Sequence, residues 1–151
     1  MRMLRKLARV LLPQKVAYAH CDVPCGIYDP KSAQIAAATI LKMTQKLQES
    51  QVPEGEHVEN IMYTRHHNDV VRFIITKEEH ARILKHELMT LWADYFKQEH
   101  LEKFPDLHEK FWKTMKLTSK AKQTVDDQIA QDLVKAVDEI ADIFNQTKTS
   151  K

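Results

Sequence analysis

Glycine is scarce in this chain: Gly26 and Gly55 are the only two in 151 residues. A sheet needs turn residues at regular spacing, so this scarcity argues against an all-β or β-rich domain. Cysteine is equally rare, with only Cys21 and Cys25. Four residues apart, they would close too small a loop to constrain the unfolded chain, which excludes a disulfide-stapled fold. No stretch approaches the ~20 consecutive apolar residues of a membrane span. There is also no glycine-rich phosphate loop and no defensible Ser/His/Asp order, so nucleotide chemistry and triad hydrolysis have no footing.

Positive charge on the body of the chain is lacking as well. The formal net charge is +2, but residues 1–19 hold Arg2, Arg5, Lys6, Arg9 and Lys15 and no acidic residue. Without those five charges the remainder stands at −3, so no basic excess is left to hold nucleic acid. The leader ends in Ala17-Tyr18-Ala19, a small-x-small pattern like that before a secretory cleavage site. Its apolar middle is only Val10, Leu11 and Leu12 before Pro13 interrupts, whereas a signal peptide has an apolar run of about 7–15 residues. Three readings of residues 1–19 stand: a secretion signal, a basic amphipathic arm and, favoured, a propeptide removed in the cytoplasm.

What is abundant is Ala, Leu, Lys, Gln and Glu, the helix formers. Asp29 is suited to cap a helix whose first residue is Pro30. Ala36, Ile40, Met43 and Leu47 then make one apolar stripe, predicting a helix from about Lys31 to Glu49. Pro53 and Gly55 mark a loop over 51–56. Helical pattern resumes near His57 and continues to about Phe96, with Leu84, Leu88, Leu91 and Tyr95 in phase. Thr76-Lys77-Glu78-Glu79 has the form of a capping box, predicting a kink or break near Ile75. Pro105-Asp106 opens a third helix with Leu107, Phe111 and Met115 inward. A fourth, about Thr124 to Thr147, carries Ile129, Leu133, Val137, Ile140 and Phe144. Four amphipathic segments with short connections predict an all-α, up-and-down four-helix bundle over residues 31–151. Trp92, Tyr95 and Phe96 are expected in its core, and the charged runs 77–85 and 97–103 on its solvated faces.

The chemistry concentrates in residues 20–30, HCDVPCGIYDP. His20-Cys21-x-x-x-Cys25 does not suit structural zinc, which wants two further ligands, nor is it a CxxC redox motif. Cleavage between Ala19 and His20 would free an α-amine. That amine, the Cys21 amide nitrogen and the two thiolates can lie in one plane about a metal, and planar sites with such donors point to nickel(II) or copper(II). Pro24 and Gly26 help the segment bend so that both sulfurs reach one ion. The competing reading is two incidental cysteines in an arm. The remaining histidines are weaker candidates. His66 and His67 diverge on a helix, His80 and His86 share no face, and the one Glu-x-x-His match, Glu54 to His57, begins in a Pro/Gly loop.

The same eleven residues closely resemble the nickel hook of the nickel superoxide dismutases, whose pattern is HCDxPCGxYDP; all nine specified positions match. Two later stretches, Leu91–Lys97 (LWADYFK) and His100–His108 (HLEKFPDLH), are also similar, and the resemblance covers essentially all of 20–151. It implies an antioxidant oxidoreductase that disproportionates superoxide with one nickel ion per subunit. His20 would ligate through its amine and, when oxidised, its imidazole; Cys21 through its amide nitrogen and sulfur; Cys25 through its sulfur. Asp22 and Tyr28 would line the superoxide pocket, with Tyr95 nearby. It further implies a cis Val23-Pro24 peptide, a homohexamer and a processing peptidase acting at Ala19-His20. Neither nucleic acid nor membrane is an expected partner, and the expected location is the cytoplasm.

The chain departs from the best-known branch of that family, where a Glu and an Arg hold the axial imidazole. Those positions are Ala36 and His80 here, so the support of His20 must differ, and His80 is expected to take over part of it. The connection between the first two helices is longer too. Two other classes compete: a nickel or copper carrier using the same hook without turnover, and a helical interaction module with an incidental cysteine arm. Lys31 or Lys97 could supply local positive potential for the anion.

Overall fold

The computed structural model describes residues 26–52 and 60–148, apart from the side chains of Asn60 and Ile61. The leader, the donors His20, Cys21 and Cys25, Asp22, the Val23-Pro24 peptide and the Glu54–His57 pair lie outside the described residues. Five helices are present: α1 (Lys31–Glu49), α2 (Asn60–Thr90), α3 (Gln98–Lys103), α4 (Leu107–Gln123) and α5 (Asp127–Lys148), with a π-helical turn at Leu91–Tyr95 following directly on α2. Four are long. α1 lies along α2 and α5, and α4 completes the bundle against α5 and α2. The expected all-α bundle is the architecture found.

α1 spans the expected Lys31–Glu49, but Pro30 rather than Asp29 stands at its N-cap and Lys31 is its first residue. The Asp29 carboxylate accepts the Lys31 N–H at 2.8 Å, and the Pro30 carbonyl accepts the first helical bond from Gln34. Its inner face is built of small residues, Ala33, Ala36 and Ala37, with Ile40 and Thr44 beyond them. Alanines let the α2 and α5 backbones come close, and the buried Thr44 hydroxyl is satisfied by the Ile40 carbonyl at 2.9 Å. Phe111, Phe144, Leu84, Leu88, Leu107, Leu133 and Ile140 fill the centre.

α2 differs from expectation at Ile75, where it runs on unbroken. The Thr76–Glu79 box is overridden because the inward stripe continues through it: Lys77, Ala81, Leu84, Leu88 and Leu91 are all buried. A break there would cost backbone hydrogen bonds and misalign that stripe. The irregularity comes instead at Leu91–Tyr95, where the Phe96 N–H reaches back five residues to the Leu91 carbonyl at 3.1 Å. Trp92, expected in the core, is 40% exposed and its indole N–H donates to Nδ1 of His108 at 2.8 Å. The stripe passes through Leu91 and Tyr95 instead, leaving Trp92 on the outer side.

Three smaller differences have equally local causes. α3 falls in the run 97–103, expected only as a solvated face. The Lys97 N–H that opens it is taken by Nδ1 of His100 at 3.1 Å, where a capping box would use Glu or Gln. α5 begins at Asp127 rather than Thr124, because Asp126 caps it by accepting the Ile129 N–H at 3.1 Å, while Thr124 ends α4. Lys77 is 3% exposed rather than solvated; its Nζ donates to the Thr124 carbonyl at 2.6 Å, a cation at the negative end of α4.

Burial lowers the Lys77 pKa below its ordinary 10.5, with Glu78 opposing. Below its folded value Lys77 is charged in both states and its desolvation cost is complete. Between that value and 10.5 the unfolded chain binds more protons, so stability rises with pH. Lys77→Met should therefore flatten the alkaline rise of unfolding free energy, as read by urea titrations between pH 7 and 10; an unchanged slope would contradict this.

Candidate metal centre

Residues 26–28 link the cysteine segment of the sequence to α1. Gly26 has φ +87, in the left-handed region that glycine enters without a Cβ penalty. Among the described residues nothing would meet a Cβ there, so the backbone angle is the constraint. Ile27 follows fully out in solvent at 77% exposure, and Tyr28 is buried. Tyr28 is thus the first side chain after Cys25 to join the core.

Tyr28 packs edge-on against Tyr95, with ring centroids 5.6 Å apart and planes at 62°. Tyr95 is held in turn on several sides. Phe144 of α5 lies 4.3 Å away, Phe96 5.0 Å, and His100 of α3 stacks on it at 5.7 Å and 20°. The Tyr95 hydroxyl is 2.8 Å from that of Thr147, near the end of α5. Tyr28 and Tyr95, expected near one another, are in contact. His100 and Thr147 are expected from the sequence only as the ends of a matched stretch and of the last helix, not as site residues. Thr147 sits three residues after Phe144 at the close of a recognised stripe, but nothing in the sequence shows that its hydroxyl faces a tyrosine.

Ala36 and His80 occupy different settings. Ala36 is 1% exposed and belongs to the core, so it offers a methyl group and no hydrogen bond. His80 is half-buried, with Nδ1 2.9 Å from the Thr76 carbonyl. A carbonyl only accepts, so that contact requires the proton on Nδ1 and leaves the neutral ring's Nε2 as an acceptor. The Tyr28–Tyr95 contact and the Lys46 ammonium over the Phe73 ring fix the antiparallel register of α1 and α2. Elsewhere, His67 Nδ1 meets the Tyr63 carbonyl at 2.7 Å and His66 Nδ1 the Ser50 hydroxyl at 3.3 Å.

Among the described residues no group of three or more His, Cys, Asp or Glu side chains could hold a metal. The donors expected from the sequence, His20, Cys21 and Cys25, lie outside the described residues. Two thiolates, an amine and an amide nitrogen suit a planar nickel ion, so these residues fit that metal chemically.

The profile of the family described as nickel-containing superoxide dismutase matches residues 15–148. The chain belongs to that family. Two curated relatives agree: the Superoxide dismutase [Ni] of Streptomyces coelicolor is 34% identical and that of Streptomyces seoulensis 33%, each over 142 residues, 94% of this chain and 98% of theirs. Among solved structures, native NiSOD superposes with a TM-score of 0.69 at 34% identity, covering 85% of this chain and 99% of that one. A Ni-containing superoxide dismutase with the ligation of the oxidized state gives 0.70 at 32%, covering 87% and 100%. As a member of the nickel superoxide dismutases, the chain is an oxidoreductase and its cofactor is nickel. No helix among the described residues is long and apolar enough to cross a membrane.

Proposed function

We propose that this chain, shortened to begin at His20, holds one nickel ion per subunit through residues 20–25 and consumes superoxide beside Tyr28. The reaction is nickel-dependent disproportionation: two superoxide anions and two protons give oxygen and hydrogen peroxide. The observation that carries the placement is the anchoring of Tyr28, three residues after Cys25, against Tyr95. Bound nickel supplies one-electron cycling between Ni(II) and Ni(III), the higher state being favoured by thiolate and amide donors.

The chain's own residues do the rest. The His20 amine and imidazole, the Cys21 amide nitrogen and thiolate and the Cys25 thiolate make up the donor set. The amine exists only after the Ala19-His20 bond is cut, which makes residues 1–19 a propeptide and implies a processing peptidase, in the cytoplasm on this reading. Asp22 and Tyr28 line the pocket, and the Tyr28 hydroxyl is placed to orient a small anion and pass it a proton. The core methyl of Ala36 adds burial rather than a hydrogen bond. Nε2 of His80, left as an acceptor, is suited to receive the imidazole N–H of a His20. Assembly as a homohexamer is supported by large apolar side chains left in solvent, among them Val71, Ile74 and Ile75 on α2 and Trp112 on α4.

The test is the purified, processed protein. A mass that starts at His20, one nickel per chain and destruction of superoxide are expected together. Nickel bound without turnover would establish a carrier instead, and a crystal structure of that sample with His80 out of reach of every His20 would overturn the part given to His80.

A further inference from the structure

Threonine has one hydroxyl proton, and in Thr147 it is committed. The Thr147 Oγ1 donates to the carbonyl of Phe144, one turn back in α5, at 2.6 Å. A carbonyl accepts and cannot donate, so this direction is fixed. The Tyr95 hydroxyl lies 2.8 Å from the same Thr147 oxygen. With the threonine proton already spoken for, only Tyr95 can be the donor in that contact. Thr147 is 9% exposed, so water competes little for either bond.

We infer that Thr147 is a positioning residue for the superoxide pocket: it takes up the hydroxyl proton of Tyr95, so that Tyr95 offers the pocket only lone pairs and holds a single ring orientation against Tyr28. A tyrosine whose proton is free can act as donor or acceptor and can compete for the incoming anion. One whose proton is bound to α5 cannot. Tyr95 then acts as a support for Tyr28, with its own proton kept from the incoming anion. The ring contacts from Phe144, Phe96 and His100 fix the position of Tyr95, but none of them decides which way its hydroxyl proton points. Thr147 alone among these neighbours does that.

This inference rests on the reading of Tyr28 as a pocket residue, and its test separates the two. The variants are Thr147→Val, which keeps shape and removes the oxygen, and Thr147→Ser, which restores it. Thr147→Ala serves as a second deletion should the valine disturb α5. The first readout needs no metal: the infrared C–O stretch of isotope-labelled tyrosine in the full-length folded protein, with the Tyr95 band assigned by its loss in Tyr95→Phe. Thr147→Val should shift that band and Thr147→Ser should leave it in place. The second readout is kinetic, on the processed, nickel-loaded enzyme. Thr147→Val should lower kcat/KM by about 2–10-fold, the scale of one hydrogen bond, with rescue in Thr147→Ser. Thr147→Val combined with Tyr95→Phe should lose no more than Tyr95→Phe alone, because the two residues act as one unit. An unmoved Tyr95 band in both deletions, or losses that multiply in the double variant, would overturn the inference. A band that shifts in Thr147→Val, together with a nickel-loaded wild type that fails to consume superoxide, would overturn the functional reading while leaving the Thr147–Tyr95 arrangement standing.

Discussion

Cys25→Ser should bring nickel content and superoxide consumption to background while the helical bundle stays folded. The thiolate is the soft, electron-rich donor that makes the higher nickel state accessible, and a serine hydroxyl, neutral at pH 7, replaces neither its charge nor its polarisability. The described core is built from Tyr28 and the helices, and its contacts should hold the bundle without the sulfur. Metal analysis and a superoxide assay read the first effect; thermal unfolding of the metal-free protein reads the second, with a change within about 0.5 kcal/mol expected. Retained nickel with retained activity would remove Cys25 from the donor set and with it the planar arrangement. No loss of metal in either Cys21→Ser or Cys25→Ser would revive the helical interaction module.

The second large effect concerns the wall of the pocket. Phe144 is fully buried and its ring lies 4.3 Å from that of Tyr95. Phe144→Ala should destabilise the protein by about 3–5 kcal/mol, the range for removing a buried aromatic and leaving a cavity. It should also lower activity in the fraction that remains folded, because Tyr95 loses the contact nearest its ring. Denaturant unfolding followed by kinetics on the folded fraction separates the two losses. Phe111→Ala makes the control: Phe111 is equally buried but touches Phe96 rather than Tyr95, at 5.6 Å, so it should cost comparable stability and less activity per folded molecule.

Much of this was legible from patterns with a single physical meaning. Asp29-Pro30 and the stripe Ala36, Ile40, Met43, Leu47 place α1 to the residue. The period of Leu133, Val137, Ile140 and Phe144 places the inner face of α5. The family was legible because HCDVPCGIYDP matches its pattern at all nine specified positions. What escaped depended on groups far apart in sequence. The continuation of α2 through Thr76 is decided by Lys77 meeting Thr124, 47 positions away, and a local capping pattern carries no information about that. α3 uses a histidine ring where a carboxylate or amide is the usual signal. Trp92 shows that hydrophobic character does not establish inward direction next to a π-helical turn. Thr147 is a polar residue at the foot of an apolar stripe, and only the fold shows which hydroxyl it faces.

The pocket wall joins Tyr28, Tyr95 and Thr147, so its parts leave the ribosome at very different times. At about 5–20 residues per second, Thr147 follows Cys25 by roughly 6–25 s. Throughout that interval both thiols exist with nothing behind them, and a thiolate in the open is the form most readily oxidised. While residues 1–19 remain attached, the nitrogen of His20 is tied up in a peptide bond and the donor set stays incomplete. On the proposed cleavage at Ala19-His20 the leader would work as a timer: a cut made after synthesis ends would let nickel enter a site whose wall is already standing.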